Sequence, residues 1–562
     1  MKKVTYIFIV LLMSSTFGCT DFMNITSKDT ITDDGVWISP SSIMLFISNI
    51  YTDLTGPLYT LDGAGGQAPD VLFTDDFLQL GEGNSNKWNL FDFNASSAPI
   101  NRWDDCYKTI RKANLGLAKI EVSAVLTDDA KTRLMGDLYF MRGLFYLELL
   151  RFYGGVPLID KALDRQVDEI FYARATAEET LNFIIADLQK AADRLPVTLV
   201  DEELGRATRG AAIGMQAVAY LHAAGVIDAK YYKNAADIAN IFITGELKDR
   251  YSLFQGGFME LFLEEFEHNS EVIFDIQFAY PYRFTGTQTV FAPPEPGDEG
   301  GYGWGKGNVS QELVDAFDMK DGTAFDWGNP EHAKAPYENR DKRFYSTVHY
   351  NGKPWKGKIL YTSQNTPKNL ELKSNPNGMY SLSKPSCTKT GYYMGKHMNE
   401  KVVCGYDNRG KGVGGGHNYI VLRFAEILLT FAEAENEVNG PTTAVYNAIK
   451  LIRDRAGQPP LPAGLDKDSM RERIRKERRI ELALEGKRFL DLVRWRTAEE
   501  VLNQNLSACL VTYVEKEGEI VPTYQVIKDV CKKAFIAPKN YLWPIPQGAI
   551  NKNAALEQNP MW

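Results

Sequence analysis

The chain has 562 residues, of which 44% are hydrophobic, 12% aromatic and 24% charged, a globular composition with enough apolar mass for a large core. Disordered and collagen-like chains are thereby excluded. Asp and Glu outnumber Lys and Arg by 72 to 63, a formal charge of −9, which offers a polyanion no broad attraction and speaks against nucleic acid as a partner.

The amino terminus carries a targeting signal. Lys2 and Lys3 precede a mostly apolar run from Val4 to Met13, followed by Ser14, Ser15, Thr16, Phe17, Gly18 and Cys19. A basic start and an apolar stretch too short to span a bilayer read as a signal peptide over residues 1–18. A small residue directly before a cysteine at this place resembles the lipobox of bacterial lipoproteins, which implies acylation of Cys19. No later segment reaches the ~18 apolar residues of a membrane-spanning helix. The remaining cysteines, Cys106, Cys387, Cys404, Cys509 and Cys531, are odd in number and lack a C-x-x-C pair, so neither a disulfide framework nor a zinc site is expected.

Most of the periodicity is helical, and a mainly α fold is expected. Helices are predicted at about Trp103 to Val122 and Thr127 to Tyr153. In the second, Leu134, Leu138, Met141, Phe145, Leu149 and Phe152 recur at spacings of three and four, and Gly154-Gly155 and Pro157 stop it. Thr176 and Glu179 form a capping box for the next. Further helices follow at Arg209 to Ala224 and Lys233 to Thr244, and then at Tyr419 to Val438, Thr442 to Ala456 and Asp468 to Arg496. Short connections between paired helices suggest stacked hairpins like tetratricopeptide repeats, although the W-x-x-L-G signature is absent. Between Tyr251 and His417 glycine, proline and aromatic residues take over, with a short strand at Glu271 to Phe278. A hairpin is predicted over Leu510 to Val526, around Glu517-Gly518. The expected organisation is thus signal peptide 1–18, amino-terminal helical region 19–250, loop-rich insertion 251–417 carrying the ligand site, and carboxy-terminal helical region 418–562 of the same scaffold.

Chemical motifs are sparse. Gly410, Gly412 and Gly415 satisfy G-x-G-x-x-G, but the acid about twenty residues on, Glu435, falls inside a helix instead of ending a second strand, so the motif reads as a flexible loop. There is no phosphate loop and no H-E-x-x-H, and the six histidines lack ligand spacing; no cofactor and no metal is expected. Arg471 to Arg488 holds eight basic residues and four glutamates. Their spacing neutralises the helix and suggests a partly buried ion-pair lattice without a ligand. Asp75-Asp76 could supply the carboxylate pair of a glycosidase, but adjacency alone carries almost no information among 72 acids.

Aromatic residues on polar or glycine-rich loops are the candidate site. Trp88 follows Gly81-Glu82-Gly83-Asn84-Ser85-Asn86-Lys87, and Tyr302 and Trp304 alternate with glycines. Flat rings bury the C–H faces of sugars, and polar neighbours bind hydroxyls. One shallow platform is expected from Trp88, Tyr302 and Trp304, with Asp76 and Asn86 as hydroxyl partners and Tyr282 and Trp327 at its margin.

Motifs along the whole chain carry a family resemblance. They are Arg151-Phe152-Tyr153-Gly154-Gly155-Val156-Pro157, Glu312-Leu313-Val314-Asp315-Ala316-Phe317, Asn339-Arg340-Asp341-Lys342-Arg343-Phe344, Arg423-Phe424-Ala425-Glu426, Glu477-Arg478-Arg479-Ile480-Glu481-Leu482 and Trp543-Pro544-Ile545-Pro546-Gln547. The chain resembles the SusD/RagB family of outer-membrane nutrient-binding lipoproteins. The resemblance implies a tetratricopeptide-like scaffold, lipid-anchored at the cell surface, that captures oligosaccharides for a SusC-like TonB-dependent transporter without catalysis. The family's binding residues lie in variable loops, so its motifs assign no site here. The competing readings are a surface-anchored glycoside hydrolase and a helical protein-protein adaptor without sugar affinity.

Overall fold

The computed structural model describes residues 33–55, 69–78, 85–164, 166–279, 282–294, 303–368, 371–374, 388–403, 405–406 and 412–562. The first long helix, α1 (Pro40–Thr52), is not among the expected elements. Ser39 caps it by accepting from the Ser42 amide, Pro40 opens it, and Ile43, Ile47 and Ile50 turn one buried stripe inward. A two-residue strand β1 (Phe77–Leu78) and a short helix α2 (Ser85–Leu90) lead into the helical scaffold. There α3 (Arg102–Glu121), α4 (Asp128–Tyr153), α5 (Ala177–Ala192), α6 (Arg209–Val226) and α7 (Tyr231–Asn240) pack each on the next in chain order. Thr127 caps α4, Gly154 at φ 74° ends it, and the Thr176/Glu179 capping box is present at α5. Among the described residues no helix is long and apolar enough to cross a membrane.

The loop-rich stretch contains β2 (Val272–Ile276), α8 (Thr287–Phe291) and β3 (Asn308–Val309). Beyond it β4 (Tyr419–Arg423) runs straight into α9 (Phe424–Asn439), which packs on α7 and on the following α10 (Thr443–Ala456) and α11 (Lys467–Glu481). Two expectations are corrected. Residues 419–423 are strand, pairing antiparallel with β2 through Tyr419 opposite Ile276 and Ile420 opposite Asp275. The expected helix over 468–496 is two helices, α11 and α12 (Arg488–Arg494), because Leu484 (φ 62°) and Gly486 (φ 74°) adopt left-handed backbone between them.

The predicted hairpin is a long ribbon of β5 (Leu506–Lys516) and β6 (Glu519–Cys531), turned by Glu517 and Gly518 at positive φ. The outer edge of β5 is covered: the Cys509 amide donates to Thr390 O (2.8 Å), the Gln364 amide to Val511 O (3.0 Å), and Asn365 bonds both backbone groups of Tyr513. Cys106, Cys509 and Cys531 are buried free thiols; Cys19 and Cys387 lie outside the described residues, as does Cys404.

One hydrophobic cluster draws on every region, from Ile47 and Leu144 through Phe274 and Phe344 to Leu428 and Trp543. Burying each such side chain contributes about 1.5–3 kcal/mol. Beside this core lies a charged one. Arg343 Nη1 meets Glu477 (2.6 Å) and Glu481 (3.0 Å), and Arg423 meets Glu271 (2.7 Å), Glu481 (2.6 Å) and Glu485 (2.7 Å). Arg453 and Arg455 close on Glu477 (2.8 Å) and Glu271 (2.6 Å), and Lys396 on Glu485 (2.8 Å). The lattice anticipated from spacing is thus fully buried, not partly so, and its cations come from distant segments. It ties the 271–396 stretch to α11.

This lattice carries an acid-sensitive share of the stability. Burial alone would raise the Glu485 carboxyl, but Arg423 and Lys396 outweigh it and bring it down to about 2, and Arg455, Arg423 and Arg343 likewise hold Glu481 well below the usual range. A carboxyl whose folded value is depressed lends stability that is complete above its ordinary value, near 4.5, and is lost as the pH falls towards 2. For Glu485 that loss is roughly 3 kcal/mol at ~1.4 kcal/mol per unit. Asp70, raised by burial to about 6, and Glu267, raised by burial to about 8, gain stability over the same fall in pH and offset this loss, so the lattice is read by difference. The stability lost on Glu485→Gln should be smaller at pH 3 than at pH 7 in chemical denaturation; equal losses would contradict the lattice as drawn.

Candidate functional site

The loops that carry the candidate rings are brought together by backbone pairing. Phe77 of β1 lies opposite Val309 of β3 and Leu78 opposite Asn308 in an antiparallel pair, extended by the Ser310 amide on Asp76 O (3.0 Å) and Ser310 Oγ on Asp75 O (2.6 Å). The chain leaving Leu78 and the chain arriving at Asn308 therefore meet at one edge. The arriving chain is held on α8: the amides of Trp304, Gly305 and Lys306 donate to Thr289 O (2.7 Å), Ala292 O (3.0 Å) and Val290 O (2.9 Å). Gly303 is required by that approach, since a Cβ there would lie 2.1 Å from Ala292 O.

On the other side of α8, Ala279 and Arg283 bond each other's backbone (2.6 and 2.8 Å), making the turn that carries Tyr282. The Thr285 amide then donates to Gly415 O (3.0 Å), so Gly415 of the glycine loop serves the backbone of this site. Arg283 fixes the turn to the end of α1 by donating to Thr52 O (3.0 Å) and to the Thr55 hydroxyl.

The side chains differ in what they offer. Tyr282 is 93% exposed. Trp304 is half-buried against the main core, with Lys306 Nζ 5.1 Å from its ring centroid. Phe284, 37% exposed, stands two residues from Tyr282. Lys306 and Phe284 were passed over by sequence reasoning; the aromatic-glycine-basic run Trp304-Gly305-Lys306 was the available signal.

Three of the expected platform residues are corrected. Trp88 is completely buried, its ring edge-on to Phe73 at 5.2 Å; α2 turns it into the core whatever the polarity of the preceding residues. Asp76 is buried and ion-paired, with Arg479 Nε and Nη2 donating to its Oδ1 (2.8 and 2.6 Å). Trp327 folds back, donating from Nε1 between the two oxygens of Asp315 (3.1 and 3.2 Å) with its ring edge-on to Phe325. Tyr302 lies outside the described residues, as does the side chain of Asn86 within α2.

The same geometry bears on the glycosidase reading. Asp75 is held by Arg488 (2.9 Å) and Arg479 (2.8 Å); burial would raise its carboxyl, but the two guanidinium groups outweigh it and hold it well below the usual range. Burial dominates at Asp76 and pushes it up. Both carboxylates are consumed as structural partners of α11 and α12. Among the described residues no group of three or more His, Cys, Asp or Glu is placed to hold a metal ion.

The comparisons with known proteins follow this geometry. The model of the SusD family matches residues 270–562, more than half of the chain. The chain belongs to the SusD family. A second model, described as starch-binding and associating with the outer membrane, matches residues 70–221. A solved SusD-like protein from Bacteroides fragilis is 27% identical with a TM-score of 0.76, covering 95% of this chain and 99% of that one. A SusD-like carbohydrate-binding protein from the same organism is 25% identical with a TM-score of 0.75, covering 93% and 100%. A SusD-like protein of Formosa agariphila is 26% identical over 88% of this chain and 90% of its own length. The mainly α SusD-family scaffold is thus established over nearly the whole chain.

Within that scaffold Trp88 is a packing residue. Trp88→Ala is expected to cost about 3–5 kcal/mol of stability through the cavity it leaves, lowering the thermal midpoint while the folded fraction keeps its ligand affinity. A loss of affinity at an unchanged midpoint would return Trp88 to the binding face.

Proposed function

We propose that this SusD-family chain is a lipid-anchored cell-surface protein that captures oligosaccharides, without catalysis, and delivers them to a SusC-like TonB-dependent outer-membrane transporter. The reading is carried by the meeting of the Tyr282 turn and the Trp304–Lys306 loop on α8, in a chain whose residues 70–221 match a family described as starch-binding and associating with the outer membrane. Exposed rings bury the C–H faces of a pyranose, and a neighbouring cation serves its hydroxyls. Tyr302 and Asn86 are kept as proposed members of the platform. Asp75 and Asp76, engaged by Arg479 and Arg488, leave that adjacent acid pair no catalytic part. The proposed division of the chain keeps the signal peptide at 1–18, the helical region 19–250, the ligand-bearing insertion 251–417 and the closing helical region 418–562.

A glycan array probed with the protein lacking residues 1–19 tests the reading, followed by product analysis of any oligosaccharide that binds. The oligosaccharide should return intact; reducing ends released in proportion to pure protein would make the protein a glycosidase. Cys19→Ala should move the protein from the membrane to the soluble fraction, because stable anchoring depends on acyl chains worth ~0.8 kcal/mol per buried CH₂. Unchanged membrane retention in cells lacking the transporter would remove the anchor from the proposal.

A further inference from the structure

Away from α8 and its loops, a cavity of about 220 Å³ opens where α4, α6 and the end of α12 meet the carboxy-terminal segment. Its walls are apolar, built from Leu150, Val226, Val493 and Leu542. Its polar groups are Arg151, His222, Arg496 and Lys539, and among the described residues no Asp or Glu lines it.

Among the described residues, two of these cations are held by rings and by no carboxylate. Arg496 lies 4.8 Å from the Tyr541 ring and Lys539 4.1 Å from that of Trp562. Trp562 is itself fixed, its Nε1 donating to Lys539 O (3.0 Å) and Leu542 O (2.9 Å). Deeper in, Arg151 gives Nη1 to Glu148 (2.7 Å), while its Nε is buried without a partner. His222 is only 4% exposed and lines both this cavity and an adjoining recess of about 20 Å³.

We infer that this cavity binds a small monocarboxylic acid with an apolar body, a single ring or a short alkyl chain, whose carboxylate is taken by Arg496, Lys539 and the inner edge of His222 and Arg151. The apolar walls need a body that inorganic phosphate lacks. The volume, about 220 Å³, lies below the ~300–1,000 Å³ of common ligand pockets and is too small for a nucleotide. Cations with no acid among them favour a charged head over a sugar hydroxyl. The site shares no residue with the proposed glycan platform, so the two stand or fall separately.

Calorimetry on the protein lacking residues 1–19 tests the inference with 3-phenylpropionate, its uncharged amide, acetate and inorganic phosphate as probes. One 3-phenylpropionate should bind per chain. The amide, acetate and phosphate should each bind roughly ten-fold more weakly or worse, the loss expected when either the charge or the apolar body is removed. Arg496→Gln combined with Lys539→Gln should lower the affinity for 3-phenylpropionate by about the same factor without moving the thermal midpoint of the free protein. The His222 ring signals in NMR should shift with 3-phenylpropionate and stay still with the platform's glycan. Equal affinity for acid and amide overturns the inference, as does the absence of binding at millimolar 3-phenylpropionate or unmoved His222 signals at saturation.

Discussion

Arg423→Met should leave little folded protein. Its guanidinium reaches Glu271, Glu481 and Glu485, all buried. Methionine fills much of the same volume but takes one cation from each of three buried carboxylates, leaving Glu481 with Arg343 and Arg455, Glu271 with Arg455 alone and Glu485 with Lys396 alone. Removing one partner of a buried pair costs about 3–5 kcal/mol, against a total stability of about 5–15 kcal/mol for a typical protein. Arg423→Lys keeps the charge yet cannot reproduce the forked contacts, so it should fall between methionine and the parent. Soluble yield and urea midpoints read the order directly. A methionine variant as stable as the parent would mean that the lattice is dispensable, as some buried ion pairs are when replaced whole by apolar side chains.

The second large effect concerns affinity. Tyr282→Ala with Trp304→Ala should weaken glycan binding roughly ten-fold or more, since each aromatic contact is worth about 0.5–1.5 kcal/mol beyond the area it buries and ~1.4 kcal/mol is one decade. Tyr282, being 93% exposed, can be removed without touching the fold. Trp304 is half-buried, and its loss should cost some stability as well. The single variants separate the two: Tyr282→Ala should reduce affinity at an unchanged thermal midpoint. If both single variants bind as the parent does, the platform lies on other loops.

How much of this was legible in the sequence follows from how local each determinant is. The helices of the scaffold were readable because their apolar spacing and caps, such as Thr176 with Glu179, lie within a turn or two of one another. The strand 419–423 was read as helix because its partner, Val272–Ile276, is far away in the chain and five residues show no period. Gly486 was the one local sign of the break between α11 and α12. Trp88 and Asp76 were misjudged for the same physical reason: their surroundings are made by tertiary contacts. Trp88 faces Phe73 from a short helix, and the partner of Asp76 is 403 residues away. Trp304 and Tyr282 kept accessible surface because glycine and a tight backbone turn, both local features, hold the chain at the edge of α8.

The open edge of the ribbon is blunted by a proline. Tyr513 spends both backbone groups on Asn365, away from β6, so its opposite residue, Pro522, also faces its backbone nitrogen outward. A proline there forfeits no ladder bond, yet it removes a donor from the open margin of a thirteen-residue strand. The left-handed Asp529 bends the far end of that margin. On the proposed lipid anchor, neighbouring copies would otherwise meet a straight template for cross-strand association, the seed of aggregation. Pro522 thus guards against self-adhesion, a property that shows in how densely the molecules can be packed and leaves the fold and affinity of any single one unchanged.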